Sequence, residues 1–204
     1  MSYNLVARYY DKLSRLVFGD TLLQDQSYFL DRIPNGSKVL IAGGGTGWIL
    51  EAVTSLHPSL LEITYVDSSM KMTELAKMRN VGNNQVTFII AQVETISADH
   101  MFDIVITPFF FDNFKEYTIR KIFSAIEKNL DKDGIWLYTD FRNTKGLGQK
   151  LLLKIMYAFF RLFCGIEAGR LPDMGRCFGD FGYAAEQQMT FMNGFVETVV
   201  YKRY

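Results

Sequence analysis

The sequence predicts an α/β protein, doubly wound, whose mostly parallel sheet ends in an antiparallel hairpin. Three observations carry this. Short apolar runs alternate with helical patterns between residues 38 and 142, the mark of strand–helix units that place helices on both faces of one sheet. The first run, Lys38-Val39-Leu40-Ile41-Ala42, stops abruptly at Gly43-Gly44-Gly45-Thr46-Gly47. Near the C-terminus, Asn193-Gly194 separates two strand-like runs, 184–191 and 195–203. Asn-Gly between such runs is a strong short-range hairpin signal.

Taken in order, residues 4–18 carry Leu5, Tyr9, Leu13 and Leu16 at helical spacing, and Pro34-Asn35-Gly36 closes this segment. Strands are expected at 38–42, 62–66, 85–90, 102–106 and 135–139. The run at 102–106 is almost unbroken in its apolar character, as in a strand buried on both faces. Helices are expected at 46–56, 69–79 and 117–130, with Ser69 as an N-cap. Asp133-Gly134 reads as a turn. Residues 143–164 read as a long helix, followed by a connection rich in Gly and Pro through Pro172. At 204 residues the chain is expected to form one domain. Its parts are a helical cap (1–36), a core (37–142), a helical lid (143–177) and the hairpin (178–204).

Lysine plus arginine and aspartate plus glutamate number 22 each, so the formal net charge is zero. That argues against a sequence-independent grip on nucleic acid, which needs a basic footprint. No basic region followed by an apolar stretch marks a signal peptide, and no run reaches membrane-spanning length. Cys164 and Cys177 fit neither a redox nor a zinc spacing. A reducing cytoplasm is the expected setting.

The glycine run points to a ligand. Glycine lets backbone approach a cofactor closely, and 20 residues after Gly47 a second apolar run ends in an acid, Asp67. Strand, glycine turn, helix, strand, acid is an arrangement for a nucleoside, with the acid accepting from ribose hydroxyls. The dinucleotide fingerprint G-x-G-x-x-G, counted from Gly43, needs a small residue where Trp48 stands. A P-loop needs Lys-Ser/Thr after the last glycine, where Trp48-Ile49 follow.

The pattern V-L-x-x-G-x-G-T-G resembles the first motif of the class I S-adenosylmethionine (SAM) dependent methyltransferases, small-molecule type. The resemblance extends along the chain. Ala7-Arg8-Tyr9-Tyr10-Asp11 is similar to an A-x-x-Y-D element, which implies that Tyr10 closes over the methionine end of SAM. Asp67-Ser68-Ser69-Met70-Lys71-Met72 is similar to D-x-S-x-x-M. In that reading Gly43, Gly44, Gly45 and Gly47 form the loop, Asp67 holds the ribose, and Ser68 and Met72 flank the adenine. Gln92 reaches the adenine amino group and Val93 covers the ring. Thr107, ending the fourth strand, is placed beside the cofactor. Leu130-Asp131-Lys132-Asp133-Gly134-Ile135 resembles the L-K-P-G-G-x element. The implied fold is Rossmann-like with seven strands, the last antiparallel, and the implied cofactor is SAM. Ile41 stands where the family usually carries an acid, and Asp140 and Glu94 are candidates for a replacement charge.

Methyl transfer from a sulfonium requires alignment and exclusion of water more than acid–base chemistry. A base is needed only when the acceptor must lose a proton early. Asp112 is the candidate for that role. His57 and His100 read as surface residues near helix ends or loops. The run Thr107-Pro108-Phe109-Phe110-Phe111-Asp112-Asn113-Phe114 should lie beside the transferable methyl, and its phenylalanines suggest a small, apolar or aromatic acceptor. Residues 143–177 are rich in lysine and arginine, with only Glu167 and Asp173 opposing them. Lys150, Lys154 and Arg161 share one helix face. This helix reads first as core-packing with a solvated basic stripe. The alternatives are a lid over the acceptor or, less favoured, contact with a membrane surface through 143–164. Rival readings of the whole chain are a non-catalytic SAM or S-adenosylhomocysteine (SAH) binding protein, a nicotinamide-binding oxidoreductase and a partner-binding scaffold. The oligomeric state is open.

Overall fold

The structure is a computed structural model that describes residues 3–97 and 101–204. His100 lies outside the described residues. The seven strands are β1 (Lys38–Ala42), β2 (Ser59–Asp67), β3 (Asn83–Ile90), β4 (Phe102–Pro108), β5 (Leu130–Phe141), β6 (Tyr183–Phe191) and β7 (Val196–Arg203). They form one sheet in the order β3-β2-β1-β4-β5-β7-β6. The first five are parallel, and β7 pairs antiparallel with both β5 and β6.

Strand order reverses between β1 and β4, since β2 and β3 lie on one side and β5 on the other. Side chains of β1 are buried from Val39 to Ala42 because the strand is central and covered on both faces. Leu40, Ala42, Val105, Trp136 and Tyr138 face α5 (Glu116–Glu127) and α7 (Met174–Asp180). Val39, Ile41, Ile63, Ile104 and Leu137 face α3 (Trp48–Leu56) and the segment Phe29, Leu30, Ile33.

Several expected boundaries move for local reasons. The first helix is α1 (Ala7–Phe18), closed by Gly19, and α2 (Thr21–Ser27) follows. The stripe Leu5, Tyr9, Leu13, Leu16 faces outward, whereas Val6, Ala7 and Phe18 are buried. The helix expected from 46 begins at Trp48, with left-handed Gly47 before it. Ser69 caps α4 (Met70–Ala76) as expected, accepting the Met72 N–H. Asp133-Gly134 does not turn the chain. It lies inside β5, where Phe102 pairs with Leu130 but Ile104 with Ile135, so the extra residues form a bulge. The long helix is α6 (Leu147–Cys164). Within the expected connection sits α7, capped by Asp173, which accepts the Arg176 N–H. Phe178 of α7 stacks on Tyr201 with centroids 3.6 Å apart. The hairpin turns through Met192, Asn193 and Gly194, all at positive φ.

One buried carboxylate is a stability liability. Asp25 of α2 is 1% exposed, and among the described residues neither side-chain oxygen has a hydrogen-bond partner. Burial raises its pKa from 3.8 to about 6. The native state therefore binds more protons than the unfolded chain between those values, and stability falls as pH rises through this window. A shift of that size corresponds to about 3 kcal/mol at neutral pH. Asp25→Asn is expected to stabilise the fold by about 1–3 kcal/mol at pH 7.5, with the gain vanishing by pH 4. Equal gains at both pH values in denaturant titrations would contradict this origin.

Candidate functional site

The glycine loop leaves β1 at the point where strand order reverses, and α3 starts just beyond it. Ligands in such sheets settle outside the carboxyl ends of the strands at this crevice. Asp67 ends β2 beside the loop. Its Oδ2 accepts the Gly45 N–H at 3.1 Å and its Oδ1 accepts the Ser69 N–H at 2.8 Å. One carboxylate thus fixes both the loop and the start of α4. Each carboxylate oxygen retains a further acceptor position. Burial raises the Asp67 pKa to about 6, offset in part by the two N–H donors.

Two glycines do separate work. A Cβ on Gly44 would meet the Tyr65 ring at 2.4 Å, and the Tyr65 hydroxyl donates to the Gly45 carbonyl at 2.7 Å. Gly44 therefore serves packing beneath the loop. Gly45, at φ +60, has nothing within 4 Å of its Cβ position and lines a cavity of about 140 Å³. Gly43 lines the same cavity, and Gly47 is buried against α4.

Of the other expected residues, Tyr10, Asp67, Ser68, Met72, Gln92 and Val93 also line this cavity. Besides Gly44 and Gly47, which do not line the cavity, two further expectations are corrected. Thr107 is fully buried, and its hydroxyl accepts the Trp136 indole N–H at 2.9 Å, so it belongs to the core beneath the site. Asp112 stands behind the wall. Its Oδ1 accepts from Asn113 Nδ2 at 2.7 Å, and Asn113 is the polar group of that turn that lines the cavity. Burial and the neighbouring Asp140 raise the Asp112 pKa.

The replacement charge is also resolved. Ile41 is enclosed between the sheet and α3. Asp140 is turned inward and accepts the N–H groups of Phe111, Asp112 and Phe141 at 3.0, 3.1 and 2.8 Å. It shapes the turn after β4. Glu94 does line the cavity, as does Glu167, whose carboxylate accepts the Thr118 hydroxyl at 2.7 Å. His57 is half-buried, with Nε2 3.0 Å from the Leu30 carbonyl, away from the cavity.

The N-terminal segment roofs the site. Asp11 accepts from Thr46 at 2.6 Å and from Arg79 at 2.7 Å. Arg79 also donates to the Thr46 carbonyl at 2.9 Å and lies 4.2 Å from the Trp48 ring centroid. These contacts seat α1 on the loop. Tyr3, Tyr10 and Phe160 of α6 pack against one another above the cavity, and the Tyr3 hydroxyl donates to Asn113 Oδ1.

Among its described residues the cavity wall carries three acids, Asp67, Glu94 and Glu167, and no lysine or arginine. A sulfonium-bearing nucleoside fits this chemistry, whereas no side-chain cation of the lining would offset a pyrophosphate. A separate groove of about 1050 Å³ is lined by Arg142, Arg170 and Arg176 but lacks the glycine loop and Asp67.

A methyltransferase-domain family model matches residues 39–134. The match spans just under half of the chain and contains the glycine loop and Asp67. Together with the fold, it supports a methyltransferase that uses SAM. Solved methyltransferases share the fold. Mitomycin 7-O-methyltransferase aligns at TM-score 0.70 and 14% identity, over 100% of this chain and 61% of that one. Magnesium protoporphyrin IX methyltransferase from Synechocystis, solved with bound SAH, aligns at TM-score 0.69 and 19% identity, over 96% and 88%. A Burkholderia thailandensis 1,6-didemethyltoxoflavin-N1-methyltransferase, solved with that substrate and SAH, aligns at TM-score 0.66 and 15% identity, over 98% and 85%. No curated protein matches the sequence at a significant level.

Binding that depends on the Asp67 carboxylate should weaken as it protonates. SAH affinity, measured by calorimetry, is expected to hold from pH 8 to about 6.5 and then to fall, approaching about tenfold per pH unit well below the pKa. In Asp67→Asn the affinity is expected to be lower and flat across this range. A wild-type profile as flat as the variant's would remove Asp67 from the ligand's contacts.

Proposed function

We propose that this methyltransferase acts on a small, largely apolar or aromatic acceptor held beneath the tyrosine roof. One observation supports the acceptor class most directly. Beside the glycine loop, the wall is built from Tyr3, Tyr10, Phe109, Phe110 and Phe114, with Asn113, Thr118 and Glu167 as polar side chains on that side. Aromatic faces of this kind favour a flat or apolar partner over a heavily hydrated one.

The residues divide the work. Asp67 and Gly45 hold the nucleoside, with Met72 and Val93 as apolar flanks. Glu94 and Glu167 supply negative charge to the cationic end. SAM brings an electrophilic methyl group, so the chain's task is alignment and exclusion of water. Burial raises the pKa values of Tyr3 and Tyr10, so both phenols stay protonated at neutral pH and act as donors. Should the acceptor have to lose a proton, Glu167 lines the cavity, whereas Asp112 does not. The cavity of about 140 Å³ is below the roughly 300–1,000 Å³ usual for ligand sites. Binding of both partners therefore requires the roof formed by Tyr3, Tyr10 and Phe160 to lift.

Transfer of labelled methyl from SAM to a panel of small molecules tests this reading. The expected outcome is turnover with hydroxylated or aminated aromatic acceptors, and rates at least about tenfold lower with charged, aliphatic ones, the discrimination expected when such groups lose hydration without partners. Turnover confined to the charged acceptors would overturn the proposal.

A further inference from the structure

The outward faces of α1 and α6 form one continuous apolar surface. Before and along α1, Leu5, Tyr9, Leu13, Leu16 and Val17 are exposed, Leu16 to 83%. Along α6, Leu147, Leu151, Ile155, Leu162 and Phe163 are exposed, Leu147 to 84% and Leu162 to 77%. The two stripes meet in an open groove of about 410 Å³, where Leu5, Leu13 and Leu16 oppose Phe159 and Phe163. Helices of a water-soluble domain normally turn such stripes inward, and a contiguous exposed patch marks an interaction surface.

Cations border the apolar stripes. At 100° per residue, Leu147, Leu151, Ile155 and Leu162 fall within about 80° on α6, and Lys150, Lys154 and Arg161 occupy the adjoining arc. On α1, Arg8 and Lys12 adjoin Leu5 and Leu16 in the same way. Arg8, Lys12, Lys150 and Lys154 join no salt bridge among the described residues. Helix α6 has no acid, and the one acid of α1, Asp11, is already bound to Arg79 and Thr46.

We propose that the α1–α6 face docks onto an anionic lipid bilayer. Apolar side chains beside a basic flank are the pattern of helices that lie in a bilayer interface, with the cations drawn to anionic headgroups. Among the described residues no helix is long and apolar enough to cross a membrane, so the surface lies on the bilayer. A second copy of the chain fits less well, because a two-fold pairing would set this basic flank against itself. The docked face is the outer side of the same helices whose Tyr10 and Phe160 roof the cofactor cavity. An acceptor dissolved in the bilayer would meet the protein at that roof.

Co-sedimentation with vesicles tests the surface without SAM or any acceptor, so its failure is distinct from failure of the methyl-transfer reading. The full chain is expected to bind phosphatidylcholine vesicles that contain phosphatidylglycerol and to bind pure phosphatidylcholine far less. Leu16→Ser with Leu162→Ser, and separately Lys150→Gln with Lys154→Gln, should each weaken binding on the order of tenfold or more. All four side chains are exposed, so the thermal midpoint should not change. The proposal is overturned by absence of binding to the phosphatidylglycerol vesicles, or by binding that neither pair of substitutions weakens. Light scattering that shows the leucines sustaining a dimer, without vesicle binding, would assign the face to a second copy instead.

Discussion

The Asp67 carboxylate organises the cofactor end of this protein. By accepting from Gly45 and Ser69 it ties the turn after β1 to the turn after β2. The tie fixes where the glycine backbone lies and where α4 begins, and it leaves acceptor positions on the carboxylate for hydroxyl donors. A carboxylate this enclosed would normally be a liability. Here two backbone donors offset part of the burial, and the group stays within reach of ionisation near neutral pH.

The rest of the site depends on that fixed point. Asp140 performs a comparable task after β4, holding the Phe111 and Asp112 N–H groups of that turn and the Phe141 N–H at the end of β5. That turn presents Phe110 and Asn113 to the cavity and keeps Asp112 behind them. Asp11 and Arg79 then seat the N-terminal segment on the loop, so the roof and the floor of the cavity are joined through polar contacts at one edge. Apart from the Tyr3–Asn113 hydrogen bond, contacts above the cavity are aromatic. Such contacts tolerate displacement better than a charged network.

Much of the fold was legible in the sequence because it rests on local rules. The apolar runs, the glycine turn, the Ser69 cap and the Asn193-Gly194 hairpin each follow from periodicity or backbone preference. What escaped was tertiary. Gly134 looked like a turn residue, yet it sits in a strand whose bulge only strand pairing reveals. Helix α7 was hidden by Gly175 and Gly179, which weaken a helical signal that Asp173 would otherwise announce. The stripe on α1 had the right period, but periodicity does not say whether a face turns toward the core or away from it.

The site was legible in part for the same reason. Residues that follow a strand end by a fixed offset, such as Gly45, Asp67 and Gln92, reach the cavity. Within the short turn at residues 111–113 successive side chains rotate by about 120°, and the sequence pointed to Asp112 where Asn113 is the residue that lines the cavity. Thr107 carried a polar group at a strand end but serves Trp136. Glu167 lies far along the chain and is brought in by backbone bonds to the Asn113 carbonyl, a contact with no local signature. The central claim is that this acid-lined cavity selects a cationic sulfonium nucleoside. Parallel calorimetric titrations with SAM and NAD test it most directly. The account predicts saturable binding of SAM at one site and no measurable binding of NAD. Binding of NAD more tightly than SAM, or of neither, would contradict it.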